Sequence, residues 1–274
     1  MSNLEASYNL ILNNLREISG IEDFYFKPIK PRLSDIELIS LIILAEFKSI
    51  DSEHQLFRDI KGFEIGPNIE RSVYNRRKRK LFPFIKEIRM KMVDKLNESE
   101  NYFIVDNMAL EVCKISRSFR SKICKDVDYA YPNKGFCASQ NLHFYGYKLH
   151  AVCSISSVFQ SFDISPASVH DIHYLQDIKL QMSDCVLLGD KGYLSQTIQL
   201  DLFNEVNIKL ETPKRKNQKD YKPQFYQFKK YRKRIETLFS QLCNQFMIRR
   251  NYAKTFEGFK TRILAKITTL TTIQ

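Results

Sequence analysis

Residues 185–195, CVLLGDKGYLS, run four apolar residues into a lone aspartate, Asp190, and then turn at Lys191 and Gly192. A short apolar run closed by a glycine turn has the form of a buried strand. Asp190 stands at its carboxyl end, where open sheets with helical crossovers bind their ligands. The same form recurs upstream, where YFIVD from Tyr102 reads as a short buried strand closed by Asp106. Between the two, HFYGYKLHAVCSI from His143 alternates like a longer strand, and VFQSFDIS from Val158 pairs with it as a hairpin across Ser156 and Ser157. A helix over about 168–181 precedes CVLLGD; a helix near 194–203, the strand VNIKLET and a long helix over about 225–248 follow it. The order β, β, β, α, β, α, β, α predicts a mixed sheet with helices packed on it. Its first three strands can pair as antiparallel neighbours, and the later ones need helical crossovers.

The first hundred residues read as helix. Ser34 and Glu37 form a capping box at the head of DIELISLIILAEF, whose apolar positions are broad enough for a core helix. The loop KGFEIGPN, with Gly62, Gly66 and Pro67, leads into a basic helix that Pro83 interrupts or kinks. Helix, glycine-containing turn and basic helix suggest a helix-turn-helix-like reader with 72–81 as its recognition segment. The polar patch LNESEN at 96–101 marks the boundary between an all-α domain, 1–98, and an α/β domain, 99–274.

Charge agrees with a nucleic-acid partner. Of the net +12, residues 68–95 carry +7 and residues 209–236 carry +8, which leaves −3 for the remainder. Both blocks interleave cations with aromatics, and compact cationic runs such as RRKRK at 76–80 supply what a phosphate-tracking surface needs. Arg76, Arg77, Lys78 and Arg79 are the candidate DNA contacts there; the competing reading is a pair of solvated lysine-rich helices. The longest apolar runs, such as LISLIILAEF from Leu38, fall far short of the roughly 18 residues a membrane span needs, and no signal segment opens the chain. The six cysteines form no CxxC pair, so neither a zinc ribbon nor a disulfide framework is indicated. Together these features predict a cytoplasmic protein with reduced thiols and no membrane partner.

A third acid joins Asp106 and Asp190. In RKRIETLFSQLCNQF, Ile235, Leu238, Phe239, Leu242 and Phe246 form the stripe that faces the sheet, and Glu236 falls at its edge. Three clustered carboxylates repel and raise one another's pKa unless divalent cations hold them. Two such ions about 3.5–4 Å apart support in-line displacement at phosphorus without a covalent enzyme intermediate. The bland alternative makes Asp106 and Asp190 strand-terminating turn residues and Glu236 a helix-surface acid. Arg232 and Arg234 flank Glu236 and either hold a DNA backbone near the metals or solvate the helix. Lys191 is either a phosphate contact or an exposed turn lysine. Lys148 and His150 alternate on one strand face, toward one side of the cleft, and Lys148 is a candidate DNA contact. His170 and His173 have a zinc-like spacing without a third ligand in sequence, so Asp171 reads as a helix amino-terminal charge and the histidines as polar wall.

At these residues the chain resembles the DDE transposases of bacterial insertion sequences, most nearly the IS982 family within the group that has an IS4-like catalytic domain. The likeness rests on YFIVDNMALEVCK, GYKLHAVCS followed by DISPASVHD, LLGDKGYLS and RKRIETLFSQL in order, with NRRKRKLFPF similar to the family's amino-terminal region. It implies an RNase H-like fold, two Mg²⁺ or Mn²⁺ ions on Asp106, Asp190 and Glu236, and hydrolysis followed by strand transfer. It also implies double-stranded DNA as substrate, both terminal inverted repeats and target, and a homodimer. Asn107 follows the first acid where many relatives have serine, and Cys243 and Asn244 stand where a basic residue is common. A decayed or repurposed copy that only binds DNA is the alternative reading.

Overall fold

A computed structural model describes residues 3–63, 68–138, 140–214, 221 and 223–274. The Gly66–Pro67 part of the expected turn and positions 215–220 and 222 of the second basic block lie outside them. The chain forms two compact units: residues 1–95 with 242–252 and 257–274, and residues 96–241 with 253–256. This division differs from a single cut near residue 98, because two carboxyl-terminal segments belong with the amino-terminal helices.

The first unit is helical: α1 Asn3–Ser19, α2 Asp35–Phe47, α3 Glu53–Asp59, α4 Arg71–Lys80, α5 Phe82–Leu96 (to Lys95) and, from Glu257, the last helix α9. The expected capping box opens α2: the Ser34 hydroxyl accepts the Glu37 N–H at 3.3 Å, and the Glu37 carboxylate accepts the Ser34 N–H at 2.7 Å. Nearly every α2 residue is buried, as expected of a helix that is apolar all round. Pro83 sits in the first turn of α5, where its missing N–H costs no intrahelical bond, so the chain breaks into two helices there. Sequence periodicity misses α9, Phe256–Thr272, because its threonines are weak helix formers. Burial decides instead: Thr261, Thr269 and Thr271 return their hydroxyls to carbonyls four residues back, while Lys266 reaches Glu46 on α2 at 2.5 Å and the Phe246 carbonyl at 2.7 Å.

The second unit is a six-stranded sheet: β1 Tyr102–Cys113, β2 Asn133–Cys137, β3 Leu142–Ser154, β4 Phe159–Pro166, β5 Cys185–Leu188 and β6 Ile208–Glu211. The order is β2-β3-β1-β5-β6, with β4 also on β3. One edge of β3 takes β1, and the other takes β2 along residues 142–146 and β4 along 147–153. These pairs are antiparallel, whereas β1–β5 and β5–β6 are parallel and use the crossover helices α6 Tyr174–Lys179 and α7 Gln196–Val206. The mixed sheet with flanking helices therefore stands as the sequence predicts, with the hairpin across Ser156 and Ser157 in place. One expectation changes: β1 runs twelve residues and does not stop at Asp106, because Asp106 to Leu110 continue the ladder against β3 from Ala151 to Tyr147.

The two sheet faces bury different helices. Phe103, Val105, Leu187, Ile208 and Leu210 pack with Tyr174, Leu175 and Ile178 of α6 and Leu202 of α7. Ile104, Cys153 and Phe159 take the opposite face, where Phe159 meets Phe239 of α8 (Tyr226–Asn244) with ring centroids 6.2 Å apart. Among the described residues no helix is long and apolar enough to cross a membrane.

Candidate active site

Period-2 alternation puts Tyr102, Ile104 and Asp106 on the face that carries α8. Tyr102 touches Phe228 and Tyr231 of that helix, each with centroids 6.3 Å away. From Tyr102 to Asp106 the strand advances about 13 Å, and from Phe228 to Glu236 the helix advances about 12 Å. Glu236 follows Phe228 and Tyr231 on the same helix, and its charge reaches Asp106. The electrostatics agree. Desolvation above all pushes the Asp106 carboxyl up to about 7; the Asn107 N–H opposes it, Asp190 adds to it, and Arg232 and then Glu236 act more weakly in opposite directions. The first acid is thus mid-strand and half-buried, the second follows β5, and the third is exposed on α8.

Each carboxylate has a local reason for its pose. Asp106 Oδ1 accepts the Asn107 N–H at 2.8 Å. Asp190 caps the short turn at Lys191–Tyr193 by accepting the Gly192 N–H at 2.7 Å. A Cβ on Gly192 would stand 2.9 Å from Asp190 Oδ1 and 3.5 Å from Asp171 Oδ2, so this glycine keeps the space beside two carboxylates open. Asp171 is therefore a fourth acid at the site, which the sequence assigns to a helix terminus. Its partner is Lys148, whose Nζ lies 2.7 Å from Asp171 Oδ1 and 3.0 Å from the Val169 carbonyl. Lys148 is consequently tied up inside the site, which corrects its expected role as a DNA contact.

Tyr193, the last residue of GDKGY, is fully buried. Its hydroxyl lies beside Asn107 but makes no hydrogen bond of normal geometry among the described residues. Burial first, then the charges of Asp106 and Asp171, push it well above the ordinary phenol range, so it stays a donor. His150, opposite Asn107 on β3, shares a hydrogen bond between Nε2 and Ser165 Oγ at 2.7 Å and stacks on Tyr174. Desolvation pulls it down to about 4, which leaves a neutral ring at physiological pH.

Among the described residues no three His, Cys, Asp or Glu side chains are drawn tightly enough to form a ready-made metal cage. The donor chemistry nevertheless fits a divalent cation. A hard cation would offset the repulsion that Asp106 feels from Asp190 and Glu236, and a polar ligand there would give the orphaned Tyr193 hydroxyl a partner. His170 caps its own turn by accepting the Ile172 N–H at 3.3 Å, in keeping with a wall residue.

The basic candidates divide. Arg76, Arg79, Lys191 and Arg234 are exposed, and Arg232 is half-buried within the field of Asp106. Arg77 is buried: it donates to the Leu33 carbonyl at 2.8 Å and pairs with Asp35 at 2.7 Å, so this guanidinium holds α4 and is not a DNA contact. Lys78 is half-buried with its amine 5.8 Å from the Tyr74 ring, and burial lowers its pKa.

The transposase DDE domain family matches residues 98–272. The solved structure of the "Mos1 transposase paired-end complex with left transposon end" is similar at 12% identity, covering 86% of this chain and 85% of that chain, with a TM-score of 0.24, a likeness too slight to bear on the fold. No curated protein matches. A family match over well over half the chain, joined to a mixed sheet with helices on both faces, makes this chain a member of the transposase DDE domain family, with that family's RNase H-like fold.

Proposed function

We propose that the chain is the transposase of an insertion sequence of the IS982 type, cutting and rejoining DNA at terminal inverted repeats. The observation that carries this reading is the Asp106 carboxyl, raised to about 7 by desolvation and by Asp190 and Glu236. Transposases of this family generally use divalent metal. Asp106, Asp190 and Glu236 are the residues that would hold two Mg²⁺ or Mn²⁺ ions here. Bound there, the ions would activate a water or a 3′-hydroxyl and stabilise the leaving oxygen at phosphorus.

The chain's own residues supply the rest. Arg232 on α8, whose charge reaches Asp106, would draw a phosphate toward that acid. Lys191 and Arg234 offer exposed cations on either side. The Lys148–Asp171 pair holds one wall fixed, and the buried Tyr193 hydroxyl is a donor without a partner that a bound polar group would satisfy. Arg76 and Arg79 on α4 are the proposed contacts of the helical unit with duplex DNA. Two element ends must be brought together for strand transfer, so the working form is a homodimer acting on DNA in the cytoplasm.

The test is cleavage of a labelled duplex bearing the element's terminal repeat, in Mg²⁺ or Mn²⁺, by wild type and Asp190→Ala. Nicking at the repeat end that drops by at least about 10³-fold in the variant is expected. Binding without nicking under either metal would instead leave a DNA-binding protein that has lost its chemistry.

A further inference from the structure

Outside the acid site, the most unusual surface of the second unit is the long connection from β1 to β2, residues 114–132. It has no strand and only two short 3₁₀ turns, and connections of this length are mostly functional. Its first part, KISRSFRSKICK at 114–125, carries five cations and no acid. Lys114, Arg117, Arg120, Lys122 and Lys125 are all exposed, and none forms an ion pair with an acid among the described residues. Beside them Phe119 is 72% exposed, and the Arg120 guanidinium lies 4.9 Å from its ring centroid.

The arm is held in place. Ser118 and Cys124 turn inward and are buried. The Cys124 N–H donates to the Lys254 carbonyl at 2.8 Å, Asp126 accepts the Phe256 N–H at 3.0 Å, and Tyr147 donates to the Ala130 carbonyl at 2.7 Å. An ordered loop that turns small residues in and unpaired cations out, with an aromatic ring carrying one of them, has the chemistry of a phosphodiester-backbone contact.

We propose that residues 114–125 form a further duplex-DNA surface, distinct from the acid site and from α4, that grips the backbone of the bound DNA in a sequence-independent way. The proposal rests on the transposase reading and adds the position of the grip. β1 carries the chain from Asp106 to the start of the arm at Cys113, about 20–25 Å at 3.3 Å per residue through the bulge near Val112. At 3.4 Å of axial rise per base pair, a duplex lying along β1 would meet the arm about six to seven base pairs from the cut phosphate.

The experiment compares wild type with Arg117→Gln/Arg120→Gln/Lys122→Gln, and with Lys114→Gln/Lys125→Gln as a second variant, after thermal melts verify that each is folded. Affinity for terminal-repeat and scrambled duplexes is measured across a salt series, and hydroxyl-radical footprints are taken on the repeat. Each neutralised phosphate contributes about 0.9 to the slope of log K against log salt, so the triple variant should lose about 2–3 from that slope on both duplexes. Protection six to seven base pairs from the cut should disappear with it. Wild-type slopes and footprints in both variants, while wild type still cuts repeat ends, would overturn the arm and leave the transposase reading standing. Failure of wild type itself to bind or cut duplex DNA would overturn both. A loss confined to the repeat duplex would replace backbone contact with base reading and overturn the proposal as well.

Discussion

Asp106 shows how one half-buried acid governs the behaviour of the metal-free protein. Its folded pKa near 7 lies above the ordinary 3.8, so the folded state holds a proton that the unfolded chain releases. Stability from this group is full below about pH 4 and is lost as pH rises through 7, with an upper bound of about 4 kcal/mol. In EDTA, wild type should therefore melt at progressively lower temperature between pH 5 and 8, whereas Asp106→Asn should lose much less over that range. Superimposable pH profiles for the two proteins would remove the assigned cause. The sequence singles this acid out because an apolar run leads into it. Its position inside a longer strand was not legible there, because that depends on ladder partners forty residues away on β3. Asp171 and Lys148 were hidden for a related reason: each has a plausible local role, and only the fold sets them 2.7 Å apart.

Among the elements, β3 bears the most geometric constraint, since β1, β2 and β4 all pair with it. Gly146 lies where the β1 ladder shifts register between Glu111 and Cys113, with φ of +159°. A Cβ there would stand 2.1 Å from the Leu110 carbonyl oxygen, a contact with backbone that cannot swing away. Gly146→Ala should cost about 2–4 kcal/mol in urea unfolding through strain and a broken β1–β3 register. An unchanged midpoint would show that the bulge absorbs a methyl group. Helix α8 was readable from its apolar stripe, and the capping box gave the start of α2. By contrast β2, only five residues with Gly135 in the middle, carries too little pattern to be seen, and it exists because β3 offers it an edge.

At the scale of the whole molecule, the amino-terminal helices are completed by residues from the far end of the chain. Lys266 on α9 is 1% exposed and bonds Glu46 and the Phe246 carbonyl, so breaking this pair leaves a buried charge without its partner. Lys266→Ala should destabilise the helical unit by about 3–5 kcal/mol, read as faster amide hydrogen exchange across α2. If α2 protection stays at its wild-type level, the pair does not carry the unit. This long-range closure was invisible in the sequence because residues 46 and 266 share no local pattern.

That closure sets an order of events during synthesis. All three acids, the sheet and α4 leave the ribosome before Lys266 does, so the helical unit cannot settle until α9 has emerged. A nonsense mutation a few codons upstream of α9 would spare every acidic residue of the site and still leave Glu46 without its cation. Selection on α9 is in this sense selection on α2.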